Sequence, residues 1–301
     1  MRPVLRVVVL VATALPIAIA LSAQQRPRSI ARIFVTVVDE AGAPVLDLAP
    51  DAFEVLEAGA KVEVVRASLV TEPMRIALIV DTSDQAKTSL TSIRAGLHAF
   101  LDAVPLQDEI LLISSGGQAR VRVAPTLDRQ RLSRAVDDLF AEGGAAVLLD
   151  ALRESWTRFL RDAKDRWPVF VVVGTDGPDN SSTRNPEFQV FIRDIQNAAA
   201  NAHVIMLTAS STRSSSGFTS ITASLNVTSY TGGRYESLAT STALPPILKK
   251  LGEQITAQQQ RIRTQYEVDY IKQSDDPQAR IGVLIQRPVA GIGLSIGRPI
   301  D

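Results

Sequence analysis

Two segments of the chain place carboxylates directly after a predicted buried strand. The apolar run 76–80 ends at Asp81, with Ser83 two residues later, and the apolar run 169–173 is followed closely by Asp176. In an open parallel sheet, ligands bind outside the carboxyl ends of the strands. Two carboxylates and a hydroxyl form an all-oxygen set, which suits a hard cation, Mg²⁺ or Mn²⁺, rather than zinc. We therefore predict a metal site formed by Asp81, Ser83 and Asp176.

The segment 73–260 alternates between apolar runs and helical repeats. Runs that are apolar on both faces are typical of strands in a parallel sheet, and the repeats between them predict helices that cover it. The predicted strands are 76–80, 110–113, 119–123, 169–173 and 204–207, and the predicted helices are 93–104, 132–139, 147–165, 186–201 and 244–260. The sequence thus predicts an α/β fold with a doubly wound, mostly parallel sheet and helices on both faces.

Short strand patterns lie on both sides of this segment. In residues 28–72 they are 33–38, 53–57 and 61–65, and in residues 261–301 they are 265–270 and 281–285. Their alternation of apolar and polar residues is typical of an antiparallel sheet with one buried face. Because the two ends of an inserted domain often meet, we expect the C-terminal strands to pair with the N-terminal ones in a small antiparallel β region.

The first 23 residues have the pattern of a signal peptide. Arg2 and Arg6 precede the apolar stretch 7–20, and a small-residue segment ends at Ala23, before two glutamines. The apolar stretch is short for a bilayer span of about 20 residues. We predict cleavage after Ala23, with Ala20 as the second choice and an uncleaved anchor as the alternative. No other stretch predicts a membrane span, so we expect the protein to be exported to the periplasm or the cell exterior.

Composition excludes several kinds of function. The chain has 32 basic and 32 acidic residues, which argues against binding to the phosphate backbone of nucleic acids. It has no cysteine, so disulfides, thiol nucleophiles and cysteine zinc sites are excluded. Its two histidines, His98 and His203, lie in a helical repeat and next to a strand, where packed or surface histidines are common. Any metal site must therefore use oxygen ligands.

The acidic segments resemble the metal-ion-dependent adhesion site of von Willebrand factor type A domains. That site has a strand ending in D-x-S-x-S, a threonine before a helix, and a later strand ending in T-D-G. Asp81 and Ser83 match the first two positions, and Asp176 matches the distal aspartate. The chain is also similar to a secreted bacterial group that carries such a domain between flanking β segments, through residues 34–40, 44–45, 53–57, 231–235, 265–266 and 270. The resemblance covers nearly all of the chain after residue 23 and implies a type A fold.

Two of the five expected ligand positions differ from the family pattern. The third position, normally a serine, is Gln85, whose side-chain carbonyl lies on a longer chain. The threonine position falls in Gly143-Gly144-Ala145-Ala146, which has no hydroxyl. Asp84 and Asp179 are nearby acids that offer substitute ligands, directly or through water.

The resemblance implies a protein-interaction module rather than an enzyme. In the family, the ion completes its coordination with a carboxylate from the partner protein, so the mechanism is ligation and not turnover. For this chain we expect an unidentified protein partner that offers a carboxylate. The residues expected at its binding surface are Asp81, Ser83, Gln85, Gly144, Ala145 and Asp176. Because the threonine ligand is missing, metal-independent binding by the same face is a variant of this hypothesis.

Three alternatives remain open at the level of sequence. Asp81 and Asp84 are also suited to capping the following helix, and residues 176–179 are suited to forming a turn. A metal-assisted hydrolase on the same sheet is a second alternative, because a fold alone permits many functions. It lacks a histidine or lysine near the site to act as a base. A structural envelope component with no metal is the third.

Overall fold

The computed structural model of the chain describes residues 29–208, 220–274, 276 and 279–296. Its strands are β1 (Ile30–Val38), β2 (Phe53–Glu57), β3 (Ala60–Val62), β4 (Val64–Leu69), β5 (Met74–Asp81), β6 (Glu109–Gly116), β7 (Gln118–Thr126), β8 (Trp167–Thr175), β9 (Asn201–Leu207), β10 (Tyr235–Leu238), β11 (Tyr266–Ile271), β12 (Ile281–Ile285) and β13 (Gly291–Ile296). Its α-helices are α1 (Leu90–Ala103), α2 (Arg129–Asp137), α3 (Leu148–Ser155), α4 (Asn185–Asn197), α5 (Ser220–Thr231) and α6 (Leu244–Ile262). The predicted signal peptide lies outside the described residues.

A six-stranded sheet forms the centre of the molecule, in the order β10-β9-β8-β5-β6-β7. All neighbouring pairs are parallel except β6 and β7, which are antiparallel. β5 and β8 are adjacent, with Val80 opposite Val173. The strand ends that carry Asp81 and Asp176 therefore meet at one edge of the sheet, as the sequence predicts.

Helices cover both faces of this sheet because its strands are apolar on both sides. In β5, Ile76, Leu78 and Val80 belong to one core cluster, which also contains side chains of α1, α2 and α6. Ala77 and Ile79 belong to the other, which contains side chains of α3 and α4. Successive side chains of a strand point to opposite faces, so the alternation within β5 supplies both cores.

The two ends of the chain form two small antiparallel sheets rather than the single one expected. Their orders are β13-β1-β11-β4 and β12-β2-β3. β1 pairs with β11, and β2 pairs with β12, so each sheet combines strands from both chain ends. The inner faces share one apolar core, in which the Phe53 and Tyr266 rings lie 5.0 Å apart. The region therefore has two layers that bury one face each.

Several elements differ from the sequence prediction. The predicted strand 61–65 is broken at Glu63, where the chain passes from the sheet containing β3 to the one containing β4. The predicted helix 147–165 is shorter: α3 ends at Ser155, and a π-helical turn follows over Trp156–Leu160. The predicted helix 186–201 ends early, at Asn197, because β9 begins at Asn201. Helix α5 and strand β13 were not predicted.

No helix among the described residues is both long and apolar enough to cross a bilayer.

Candidate functional site

Asp81 anchors the carboxyl end of β5 through its buried carboxylate. Oδ1 accepts a hydrogen bond from the Ser83 amide at 2.8 Å. Oδ2 accepts bonds from the Thr175 amide at 3.1 Å and from the Thr175 hydroxyl at 2.5 Å. Because Thr175 ends β8, one carboxylate joins the ends of two adjacent strands. Asp81 therefore has a structural role at the site, whatever it binds.

Burial raises the pKa of Asp81, because removing a carboxylate from water disfavours its charged form. Hydrogen bonding from Ser83 and Thr175 opposes this effect by stabilising the charged form. The net direction is upward. A positive charge beside this carboxylate would stabilise its ionised form.

Ser83 brings a second oxygen to the same place. The residue is fully buried. The Ser83 side chain favours the charged form of the Asp81 carboxylate, and Oγ has no hydrogen-bond partner within the described structure. A buried polar atom without a partner is costly and calls for an explanation. A ligand at this edge of the sheet would provide one.

Gln85 lies close to Gly177, the residue that follows Asp176. Asp176 is half-buried, and its amide donates to the Leu207 carbonyl at 3.0 Å. Gly177 has so little space that a Cβ there would lie 2.8 Å from Cγ of Gln85. The Gln85 side chain therefore lies against the segment that carries Asp176. The third position of the family motif is thus placed beside the distal aspartate.

Asp84, in the segment that follows β5, forms hydrogen bonds with the loop at the threonine position. Its Oδ2 accepts a bond from the Gly144 amide at 2.9 Å, and its own amide donates to the Gly144 carbonyl at 3.0 Å. Gly143 and Gly144 have φ angles of +86° and +69°, which favour glycine. The observed contact of Asp84 is therefore with the loop backbone, and its role as a substitute metal ligand stays a prediction.

Ala145 and Ala146 place methyl groups where the family motif has a hydroxyl. The Ala145 carbonyl accepts a bond from the Gly117 amide at 2.8 Å. Ala146 is buried and forms a parallel bridge with Asp179. The backbone of this loop is thus held in place on both sides, but its side chains offer no oxygen at the threonine position.

Asp179 caps the beginning of α3. Its Oδ2 accepts a bond from the Leu148 amide and its Oδ1 one from the Ser181 amide, at 2.9 and 2.8 Å. The bond from Leu148 satisfies one of the amides that a helix leaves unpaired at its N-terminus, and the bond from Ser181 fixes the loop that carries Asp179. Asp150, in the same helix, accepts bonds from the amides of Ser182 and Thr183 in return. A ligand role for Asp179 likewise remains a prediction.

Glu142 is a site residue that the sequence analysis missed. Its Oε2 accepts a bond from the Thr82 hydroxyl at 2.6 Å, and its amide donates to the Thr82 carbonyl at 2.8 Å. Arg122 pairs with the same carboxylate at 2.7 Å. Sixty residues separate Glu142 from Thr82, and no motif marks either residue. Their contact depends on the fold of the loop and has no local signal.

The histidines lie away from this edge of the sheet. His98 contacts Asp137 and Ser133, both on the neighbouring helix α2, at 2.8 and 3.0 Å. His203 is buried in β9, where its Nδ1 accepts a bond from the Arg234 amide at 3.3 Å. Neither contact involves Asp81 or Asp176.

The side chains at the site fit a hard cation better than a soft one. Among the described residues, no group of three or more His, Cys, Asp or Glu is placed to hold a metal ion. A cation here would therefore need hydroxyl or amide oxygens beside the carboxylates of Asp81 and Asp176. The free Oγ of Ser83 is such an oxygen. Oxygen ligands of this kind select Mg²⁺, Mn²⁺ or Ca²⁺.

No family model matches the chain, and no curated protein matches its sequence. Its fold, however, is similar to those of solved structures. The von Willebrand factor type A structure from Catenulispora acidiphila is similar at a TM-score of 0.51 and 11% identity, over 91% of this chain and 73% of that one. Proximal thread matrix protein 1 from the mussel byssus, solved with a zinc-occupied MIDAS motif, has a TM-score of 0.50 and 12% identity, over 69% of this chain and 50% of that one. These similarities confirm the predicted fold class.

Proposed function

Because the chain has a von Willebrand factor type A fold, we propose that it is an exported interaction module that binds a protein partner through the edge of the sheet at Asp81, Ser83 and Asp176. The observation that carries the proposal is the buried Ser83 Oγ, which has no hydrogen-bond partner within the described structure and lies beside the Asp81 carboxylate. Two strand ends thus present oxygen atoms at the edge where open α/β sheets bind ligands. Gln85, Gly144 and Ala145 belong to the same proposed surface.

A divalent cation is part of this proposal. Asp81, Ser83 and Asp176 would hold it, with Gln85 beside them. The mussel byssus protein was solved with zinc in its MIDAS motif. For this chain we propose Mg²⁺ or Mn²⁺, since the site offers oxygen ligands without histidine or cysteine. When bound, such an ion supplies a positive charge that attracts a carboxylate of the partner.

We expect this cation site to be weak. Its side chains provide two carboxylates and one hydroxyl, while the alanines at the threonine position provide no oxygen. Affinities of oxygen-ligand sites depend on ligand charge and number, and extracellular sites reach a Kd of about 10⁻⁴ to 10⁻³ M. The partner's carboxylate would add a ligand, so partner and cation would strengthen each other's binding.

A groove beside the site gives the partner more surface. It has a volume of about 500 Å³ and its lining includes Gly117, Arg153 and Asn180. Gly117 and Asn180 donate backbone hydrogen bonds to Ala145 and Ala146, so the groove borders the loop of the site. Arg153 adds a cationic group to its wall. Asp150 and Glu154 also line the groove, so its wall carries one basic and two acidic groups and does not by itself select the charge of the partner segment.

The observed hydrogen bonds favour ligation over hydrolysis. The acidic side chains closest to the site are occupied: Asp84 holds Gly144, and Asp179 caps α3. Catalysis would need a base within reach of a water molecule.

We also propose that the signal peptide 1–23 is removed and that the chain divides into 28–72, 73–260 and 261–301.

Selection of displayed peptides on the immobilised protein tests this function. In Mg²⁺ we expect selected peptides to be rich in Asp and Glu, to be released by a chelator, and to bind Asp176→Ala at least tenfold more weakly. Asp51→Ala is the matched control, since Asp51 is an exposed aspartate of the small β region. Selected peptides that bind Asp176→Ala as well as wild type and ignore the chelator would contradict the proposal.

A further inference from the structure

Both tryptophans of the chain line a single cavity at the opposite end of the sheet from the proposed interaction site. The cavity has a volume of about 300 Å³ and is lined by Trp156, Trp167, Leu160, Pro168, Arg161 and Lys164, among others. Trp167 begins β8 and Thr175 ends it. At about 3.3 Å per residue, the cavity lies about 26 Å from the interaction site along this strand. It is therefore a separate feature of the molecule.

Each tryptophan that lines the cavity has an unsatisfied indole N–H group, Trp156 in the core that contains α3 and α4, and Trp167 against the core that contains α1 and α6. Nε1 of Trp156 and Nε1 of Trp167 are buried, and neither has a hydrogen-bond partner in the described part of the chain. Buried indole N–H groups normally find an acceptor. Among the described residues that line the cavity, no buried side-chain acceptor atom lacks a donor. The buried side-chain atoms that lack a partner here are thus all donors. A ligand that pairs with them must offer acceptor atoms, which points to a ligand rich in oxygen.

The charge around the cavity agrees with such a ligand. Four basic side chains line it, against Glu72 and Glu267. Glu267 pairs with Arg32 and Arg66, while Arg161 pairs with Asp162 and Arg166 with Glu109, so three of the four basic side chains are also paired. Lys164 lies at the cavity and makes no ion pair among the described residues. The surroundings therefore favour a negatively charged group over a positive one.

The wall of the cavity contains an irregular helix. Trp156 and Leu160 are the two ends of the π-helical turn that follows α3. Such turns are rare and occur often at functional sites. The indole nitrogen of Trp156 is covered by neighbouring atoms, so a ligand would reach it through side-chain shifts in this wall. Changes of this kind are common on binding.

We propose that this cavity binds a small aromatic carboxylate. The flat, apolar part of the ligand would lie against Trp156, Leu160 and Pro168, and its carboxylate would accept a bond from the Trp156 indole N–H group and face Lys164. The volume is at the lower end of the range for ligand pockets, roughly 300 to 1,000 Å³, which limits the ligand to a small molecule. The proposal is independent of the interaction site.

Intrinsic fluorescence gives a direct assay, because both tryptophans lie at the cavity. We expect benzoate to change the tryptophan emission of the full chain in a saturable way, with a Kd in the millimolar range or below. Benzylamine, which carries the opposite charge, should have no saturable effect. No saturable change with benzoate, or an equal change with benzylamine, would overturn the proposal.

Two variants separate the cavity from general effects. Lys164→Glu reverses an exposed charge at the cavity and should weaken benzoate binding at least tenfold. Lys249→Glu is its matched control, since Lys249 is an exposed lysine on α6 that does not line the cavity. Trp156→Phe keeps an aromatic ring but removes one N–H group, so it should weaken benzoate binding roughly tenfold, reported by Trp167. Equal affinities of Lys164→Glu and Lys249→Glu for benzoate would refute the assignment.

Discussion

Replacing Asp81 with alanine is expected to destabilise the central sheet, whether or not a ligand is present. In the native structure its carboxylate accepts bonds from the Ser83 amide, the Thr175 amide and the Thr175 hydroxyl. The variant leaves all three donors without that acceptor, at the point where β5 and β8 end. Asp81 is fully buried, so water does not readily replace it.

The size of the effect follows from these contacts. Leaving a buried donor unpaired costs about 1–3 kcal/mol, so three donors set an upper limit of about 9 kcal/mol. Relaxation lowers this value, and the variant also no longer buries the carboxylate whose charged form is disfavoured. We therefore expect a loss of about 3–5 kcal/mol in the free energy of unfolding, at the high end for single substitutions.

Urea denaturation in the presence of a chelator measures this loss, with Asp176→Ala as the comparison. Asp176 is half-buried, and we expect its replacement to cost less than about 1 kcal/mol. A loss below about 1 kcal/mol for Asp81→Ala would refute the structural role given to this carboxylate. A loss for Asp176→Ala as large as that for Asp81→Ala would refute the distinction between the two aspartates.

Three further predictions address the loops and the small sheets. Gly233→Ala should cost more than about 4 kcal/mol in urea denaturation, because its Cβ would lie 1.7 Å from the Ala202 carbonyl oxygen, whereas Gly282→Ala, with 3.7 Å of space, should cost less than about 1 kcal/mol. Although burial opposes it, hydrogen bonding by Thr183 and Ser182 holds the pKa of Asp150 below its ordinary value of 3.8. The stability that Asp150 contributes is therefore complete above pH 3.8 and is lost as the pH falls through the lower folded-state pKa, so the difference between wild type and Asp150→Ala in thermal melts should shrink in that acidic range. A difference that grows there would contradict this linkage. Ala145→Thr places a hydroxyl in the loop at the threonine position and should tighten Mn²⁺ binding about tenfold in titration calorimetry; unchanged affinity would show that this position does not face the site.

The central domain was predictable from the sequence because its strands are continuous and apolar. In β5, every residue from Ile76 to Val80 is buried, and the alternating side chains supply the two cores. The parallel arrangement places the ends of these strands on the same side of the sheet, and the adjacency of β5 and β8 in the structure brings the two ends together. Because of the parallel arrangement, Asp81 and Asp176 could be assigned to one edge without a structure.

The features that sequence reasoning missed lack a local signal. Helix α5 is rich in Ser and Thr and has no strong apolar repeat, while β13 contains Gly291 and Gly293 between its apolar residues. β13 forms by pairing with β1, which is distant in sequence, while α5 packs mainly on β9 and α4. The contact between Glu142 and Thr82 is of the same kind, since it depends on how the loop returns to the sheet.

The capping role of Asp179 shows a second reason why the sequence did not predict every contact at the site. The sequence suited this residue to a metal ligand or to a turn, and a cap of α3 was not among the predictions. The structure shows its two oxygens on the amides of Leu148 and Ser181. Residue type alone does not choose among these uses of a carboxylate, because all three need an acceptor oxygen.

Direct measurement of Mn²⁺ binding by electron paramagnetic resonance tests the central claim most directly. We expect one site per chain in the wild-type protein, with a Kd of about 10⁻⁴ to 10⁻³ M. Binding should be lost in Ser83→Ala and Asp176→Ala and kept in Asp51→Ala. Absence of bound Mn²⁺ at millimolar concentration, or equal binding by Ser83→Ala and the wild type, would contradict the claim that this edge of the sheet holds a cation.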